Sequence, residues 1–376
     1  AYTRDGAPLR EGDLLVLPDL AKTLRAIARH GPEAFYDGPI AEAIVRSVTD
    51  HGGVLAPEDL ASYRPVLREP LRGKFRGHRV TTFPPPSSGG VALLQMLAMI
   101  ERFDPRDGSP GSSLRVHREA EVARRAFVDR ARWIGDPDAI EVPVAALLDP
   151  GYLETRAADI DDARATPTGE LAPRLARGPP EPGETLHLTI VDRDGGIVSL
   201  TSTLNAWFGS RIVADGTGVL LNNEIDDFSL SRDGGNLWGS VSGDANRVRG
   251  GARPMSSMTP TIVEDPAGRP VLALGTPGGP TIITTVFQVI LRFLDDGLAL
   301  QAAVEAPRFH HQGFPDRILA EREGAIDDVV RALEARGHAV EVAHRPIGAV
   351  AAIGRSADGR WVGAADPRRA AEADGR

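Results

Sequence analysis

The 376-residue chain contains no cysteine. That excludes disulfides, a thiolate nucleophile and Cys-ligated metals, and it leaves the redox compartment open. Lysine is almost missing too: Lys22 and Lys74 are the two among 43 basic residues. The arginines are scattered and the net charge is −9, so the chain carries no basic footprint for nucleic acid. No apolar run approaches the roughly 20 residues that span a bilayer. Residues 1–13 are polar and show no secretory-signal pattern. The chain opens without Met, so its start does not report its targeting.

What is present is ordinary for a globular protein. Apolar residues make up 41% and charged residues 25%, with length enough for a large core and one or two domains. Apolar spacing predicts a helix over residues 20–30 with Leu20, Leu24 and Ile27 on one face, and a second over 39–51. Strands are predicted around 65–71 and 78–83. Pro84-Pro85-Pro86-Ser87-Ser88-Gly89-Gly90 leads into an apolar helix over 91–100. It has neither the lysine nor the spacing of a phosphate loop, so it reads as a structural turn whose glycines permit close packing. Residues 112–132 read as a long helix with Arg and Glu spaced for surface pairs.

Residues 165–184 are Pro/Gly-rich and read as a flexible linker. Two apolar segments follow, 186–191 and 197–200, joined around Asp194-Gly195, which is a β-hairpin signal. A second hairpin is predicted from 260–264 and 270–274. Residues 230–251 read as a long Gly/Ser/Asn-rich loop. Gly275-Thr276-Pro277-Gly278-Gly279-Pro280 opens an apolar helix over 281–293. Helix-rich then β-rich order fits an α/β (α+β) fold with helices on both faces of stacked sheets.

Thr185 stands where the linker runs into a strand expected to be buried. A threonine hydroxyl needs a base, and a threonine freed at a new N-terminus carries one in its α-amine. Thr201 and Thr203 alternate to one face of the partner strand, with Asn205 two further on. Thr203 could orient the Thr185 hydroxyl. Threonines also favour strand surfaces, so pattern alone leaves both readings standing. Glu224 and Asp227 could receive an ammonium or form a solvated turn. Ser256-Ser257 could hold a carboxylate or precede a strand. Gly278-Gly279 could offer N–H groups to an oxyanion or make a tight turn. Adjacent His310 and His311 point to opposite faces and lack a third zinc ligand, which predicts a packed or hydrogen-bonded pair. No metal or cofactor is expected.

Taken together, these segments resemble the γ-glutamyltransferase (γ-glutamyltranspeptidase) family. They are Thr185-Leu186-His187, S-T-L-N at 202–205, L-L-N-N-E-I-D-D-F-S at 220–229, G-D-A-N at 243–246, P-M-S-S-M-T-P at 254–260, G-T-P-G-G at 275–279 and A-P-R-F-H-H-Q at 306–312. P-P-P-S-S-G-G at 84–90 matches as well. The resemblance implies a four-layer αββα fold of the N-terminal nucleophile hydrolase type, cut between Glu184 and Thr185. Residues 1–184 would be the C-terminal part of a large subunit and 185–376 a small subunit, the two forming a heterodimer in one integrated unit.

By matching position, Thr185 would be the nucleophile and Thr203 its hydrogen-bond partner. Asn205, Glu224 and Asp227 would hold the substrate amino end, Ser256 and Ser257 its carboxylate. Gly278 and Gly279 would form the oxyanion hole, with Trp238 as a lid. The implied substrates are glutathione and other γ-glutamyl compounds, with water, amino acids or dipeptides as acceptors, in a periplasmic or secreted setting. The resemblance leaves related cephalosporin and glutaryl acylases, or an inactive binding fragment, as rival readings. Family members also carry a preceding Gly-rich segment with a carboxylate-pairing arginine that this sequence does not include.

Overall fold

The computed structural model describes residues 3–4, 6–172, 183–229 and 243–375. Its contacts divide the chain into two units, residues 1–68 with 206–223, and residues 69–205 with 224–376. In the first, helix α1 (Pro18–His30) starts with proline in its first turn beside Asp19. It ends with Arg29 and His30 before Gly31, an order that suits both the backbone and the helix dipole. The Thr23 hydroxyl donates to the Thr217 carbonyl at 2.8 Å. Leu24 is 57% exposed, so it is not on the packed face that the spacing predicts. Helix α2 (Pro39–Asp50) accepts the Asp215 N–H on its Ser47 hydroxyl at 2.9 Å.

The second unit is built on a six-stranded antiparallel sheet. Its strands are β1 (Leu71–Phe75), β2 (His78–Thr82), β5 (Thr261–Glu264), β6 (Pro270–Gly275), β7 (Ala351–Arg355) and β8 (Trp361–Ala365), in the order β8-β7-β6-β5-β2-β1. The first strand begins at Leu71, later than predicted. Strands β3 (Gly183–Val191) and β4 (Ile197–Ala206) form the separate predicted hairpin. The other predicted hairpin is β5–β6.

Helices α3 (Gly89–Ile100), α4 (Ser113–Trp133) and α5 (Thr281–Leu294) pack together beside the sheet. Leu93, Met96 and Leu97 of α3 and Val286, Phe287 and Ile290 of α5 meet Val80, Val263, Leu272 and Leu274 in one buried core. Burying side chains of this size stabilises by about 1.5–3 kcal/mol each. The hairpin lies against β6 and β7.

Alternation along the hairpin reverses one expectation. Leu186, Leu188, Ile190, Val198 and Leu200 are 44–58% exposed. The polar alternates His187, Thr189, Ser199 and Thr201 turn inward. The Thr189 hydroxyl donates to the Ala351 carbonyl at 3.2 Å, and Ser199 to the Leu274 carbonyl at 3.2 Å. The His187 ring sits so close to Gly275 that a Cβ there would lie 2.2 Å from it. Period-two geometry puts one set of side chains on the sheet and forces the other set away. Here the polar set faces the sheet.

Helix α4 departs from expectation more sharply. Its charged residues are mostly buried, Arg124 and Arg125 almost completely. Glu121 of the same helix, with Asp159 and Asp316 from elsewhere, neutralises these two arginines, so spacing that suits surface pairs serves a buried network instead. Of the predicted linker, Thr168–Leu171 forms one helical turn, and 173–182 lie outside the described residues, as does most of the predicted 230–251 loop.

Candidate active site

Strands β3 and β4 place Thr185 opposite Thr203. Thr185 is 6% exposed, and its hydroxyl donates to Thr203 Oγ1 at 3.0 Å. Thr203 Oγ1 also accepts the Asn205 N–H at 2.8 Å. This second bond fixes the Thr203 oxygen as a directed acceptor and leaves lone pairs of Thr185 available. Asn205 is buried and has φ of 75°. Asparagine is among the few side chains that settle in that left-handed region.

Glu224 and Asp227 share one turn of 3₁₀-helix. Burial, reinforced by the Asp227 charge, pushes Glu224 up to about 8. A group with that pKa changes charge near neutral pH, as a carboxyl that must meet an arriving cation would. The Asn246 amide donates to the Asp227 carbonyl at 2.7 Å, and its oxygen accepts the Met255 N–H at 3.0 Å. Asn246 thereby ties the acidic turn to the loop that carries Ser256 and Ser257.

That loop is held from a second side. Both the N–H and the hydroxyl of Ser88 donate to the Ser256 carbonyl, at 2.9 and 2.7 Å. The Ser87 hydroxyl donates to the Met258 carbonyl at 2.6 Å. A Cβ on Gly89 would lie 2.1 Å from Thr259 Oγ1, so the glycine lets the start of α3 press against the loop. Arg130 of α4 completes the arrangement. Its Nε donates to Ser88 Oγ at 2.8 Å and a terminal nitrogen to Ser257 Oγ at 3.1 Å.

Sequence reasoning missed Arg130 and the part played by Ser88. A signal was available for the arginine: it follows Ala123, Ala126 and Phe127 at helical spacing and so falls on the apolar stripe of α4.

Gly278 and Gly279 have φ of 137° and 57°, conformations that exclude most side chains. The Thr281 hydroxyl donates to the Gly278 carbonyl at 2.8 Å. Among the described residues, no other group takes the N–H of Gly278 or Gly279. Both precede the N-terminus of the 14-residue α5, where backbone donors and the helix dipole favour negative charge. Adjacent Pro277 lines, with Thr185, His187 and Ala349, an open trench of about 1240 Å³.

His310 and His311 are both buried and each is hydrogen-bonded to other core residues, as expected. His310 shares hydrogen bonds with Thr284 and Gln312, at 2.8 and 2.9 Å, and His311 with Asp316 at 3.3 Å. Burial draws both down to about 4. Elsewhere, ligand atoms of His117, Glu121 and His338 lie within 4.8 Å of one another. The two ring nitrogens bond each other at 2.7 Å, while Arg124 and Arg125 both pair with Glu121. Two guanidiniums beside the carboxylate make this a poor cation site and a good polar core. Trp238 lies outside the described residues.

Antiparallel sheets backed by helices, with paired threonine hydroxyls near the head of a strand, fit the N-terminal nucleophile hydrolase type of fold that the sequence resemblance implies. The chain belongs to the gamma-glutamyltranspeptidase family, whose family model matches residues 1–375. It is 43% identical over 368 residues to the glutathione hydrolase proenzyme of Escherichia coli (strain K12), covering 98% of this chain and 63% of that protein. It is 37% identical to the acylase ACY 1 proenzyme of Pseudomonas sp. (strain SE83), covering 96% of this chain and 61% of that protein. The structure of cephalosporin acylase from Bacillus halodurans superposes with a TM-score of 0.82 at 29% identity, covering 99% of this chain and 65% of that one. The chain thus spans less than two thirds of these relatives' length. Among the described residues no helix is long and apolar enough to cross a membrane.

Proposed function

We propose that the protein is a γ-glutamyl hydrolase/transpeptidase acting on glutathione and other γ-glutamyl amides. The observation that carries this reading is the 3.0 Å hydrogen bond from the Thr185 hydroxyl to Thr203, near the head of strand β3. Peptide cleavage between Glu184 and Thr185 frees the threonine α-amine, which serves as the base. Thr185 Oγ1 attacks the γ-carbonyl, and its proton passes through that amine to the departing nitrogen. The amine product leaves and a γ-glutamyl–threonine ester remains. Water, an amino acid or a dipeptide then attacks the ester and restores the hydroxyl.

The remaining roles follow the chemistry of a γ-glutamyl group. Asn205, Glu224 and Asp227 hold its ammonium end. Ser256 and Ser257 donate to its carboxylate. The N–H groups of Gly278 and Gly279 receive the oxyanion, which is worth about 3–4 kcal/mol per donor in comparable sites. Residues 1–184 and 185–376 remain together as a heterodimer, in the periplasm or outside the cell.

A second reading, an acylase for glutaryl or cephalosporin side chains, is supported by the similarity to acylases. Against it stands the acidic Glu224–Asp227 turn, half-buried at Glu224 and buried at Asp227, for which a glutaryl group has no ammonium. A third reading is an inactive fragment that only binds amino acids. Two measurements on protein made from the full reading frame decide among them. Wild type should run as two bands on denaturing electrophoresis and Thr185→Ala as one. Turnover should favour γ-glutamyl over glutaryl anilide. Preference for glutaryl would select the acylase, and an uncut wild type would remove every catalytic reading.

A further inference from the structure

Arg130 is 3% exposed and lies at the C-terminal end of α4. A buried guanidinium ordinarily needs a carboxylate to offset its lost hydration. Among the described residues none comes within ion-pair distance of Arg130. Its polar partners are two hydroxyls, Ser88 and Ser257, with the Phe127 ring 5.7 Å away. Asp227 is the acid whose charge reaches it, while burial pulls it down to about 10, so it remains a cation at neutral pH.

The hydrogen bonds around it have one consistent direction. A guanidinium only donates. Ser88 Oγ therefore accepts from Arg130 and passes its own proton to the Ser256 carbonyl. Ser257 Oγ likewise accepts from Arg130, which leaves its O–H free to donate away from the arginine. A buried positive charge behind an outward-pointing hydroxyl is a receptor for an anion. The neighbouring Glu224–Asp227 turn is suited to a cation.

We propose that Arg130 is a positioning residue for the substrate α-carboxylate. It polarises and orients Ser257, and through Ser88 it fixes Ser256, so that the loop donates hydrogen bonds to an anionic group at the α-carbon. This rests on the γ-glutamyl reading above and adds the source of positive potential among this chain's own residues.

The test compares two competitive inhibitors of γ-glutamyl-p-nitroanilide turnover. L-Glutamate carries the α-carboxylate, and 4-aminobutanoate keeps the ammonium but lacks that group. In Arg130→Gln, the KM for the anilide and the inhibition constant of glutamate should rise about ten- to a hundredfold. The constant for 4-aminobutanoate and kcat should hold. Arg130→Lys should recover part of the loss, because the charge stays and the fork is lost. Ser257→Ala leaves the guanidinium in place and should show the same selective loss, which keeps the test valid if Arg130→Gln does not accumulate.

Equal weakening of both inhibitors, or a fall in kcat at constant KM, would overturn the proposal. So would a Ser257→Ala variant with unchanged glutamate inhibition. A wild type inert toward the γ-glutamyl anilide would instead overturn the functional reading, and the proposal with it.

Discussion

Helix α4 contains two kinds of buried arginine, and the contrast separates architecture from chemistry. In its middle, Glu121 receives Arg124 at 3.2 Å and Arg125 at 2.6 Å. Arg125 reaches Asp159 at 2.8 Å as well, and Arg124 pairs with Asp316. Near its end, Arg130 is equally buried, and among the described residues its hydrogen bonds go to two hydroxyls and to no carboxylate. Matched charges lock elements together and have little left for a ligand. The unmatched one sits beside Ser257, which is proposed above to meet the substrate carboxylate.

The largest effect expected from breaking this contrast is on stability. Glu121→Ala strands two buried guanidiniums and should cost about 3–5 kcal/mol in denaturant unfolding. Replacing Glu121 and Arg125 together by leucine and methionine should cost less than the single change. Burial pushes the Glu121 carboxyl up, but Arg124, Arg125 and a bond to the Thr166 backbone hold it below its ordinary range. Its stabilisation is therefore present above the ordinary carboxylate pKa and lost as pH falls through the lower folded value. A Glu121→Ala protein as stable as wild type would erase the distinction between the two halves of α4.

Next in size is an effect on rate rather than folding. Thr203→Val removes the acceptor that orients Thr185, and misplacement of a reacting group costs about a hundredfold. Stopped assays should show that loss in kcat with the melting temperature nearly unchanged. An undiminished kcat would show that Thr203 is only strand surface.

A smaller effect belongs to Glu224. Burial and Asp227 hold it up at about 8, so it is mainly neutral at pH 7. Raising the pH through that value ionises it, improves its match to a substrate ammonium and costs folding stability. KM for a γ-glutamyl donor should fall about tenfold between pH 7 and pH 9, and Glu224→Gln should flatten that slope. A profile unchanged by Glu224→Gln would move the titrating group elsewhere.

Smallest is the surface control. Arg106 and Asp104 pair at 2.5 Å in the open, where solvent screens the interaction. Arg106→Ala should leave both melting temperature and turnover as they were. A clear loss would mean that exposed pairs matter here as much as buried ones.

Much of this was legible before folding. The hairpin announced itself through two apolar segments around Asp194-Gly195, helices α1, α3 and α5 through apolar residues and their Pro and Gly boundaries, and α4 through its Arg and Glu spacing. Residues 185, 203 and 205 were marked by alternation within one hairpin, a local constraint. The start of β1 was misplaced because Pro65 and Pro70 bound a segment whose pairing partner, not its propensity, decides where the strand begins. The burial of Leu186, Leu188 and Ile190 was misjudged because alternation fixes that two faces differ but not which one meets the sheet. Glu224, Asp227, Ser256 and Ser257 were marked as paired carboxylates and paired hydroxyls, with an ordinary turn as the other reading, and no spacing rule predicts that Asn246 ties their two segments together.

The sequence by itself determined the local objects: a strand with a threonine near its head, a second threonine placed by period-two geometry to face it, glycines ahead of a helix, and a helix full of charge. These follow from backbone sterics and side-chain periodicity, which act over a few residues. Only the tertiary structure decided which of those charges are consumed and which are free. Arg130 and Ser257 are 127 residues apart, and Ser88 meets Ser256 across 168. Burial and electrostatic pairing are properties of the packed chain, so the difference between a guanidinium that braces the core and one that faces the Ser256–Ser257 loop appears only when the elements come together.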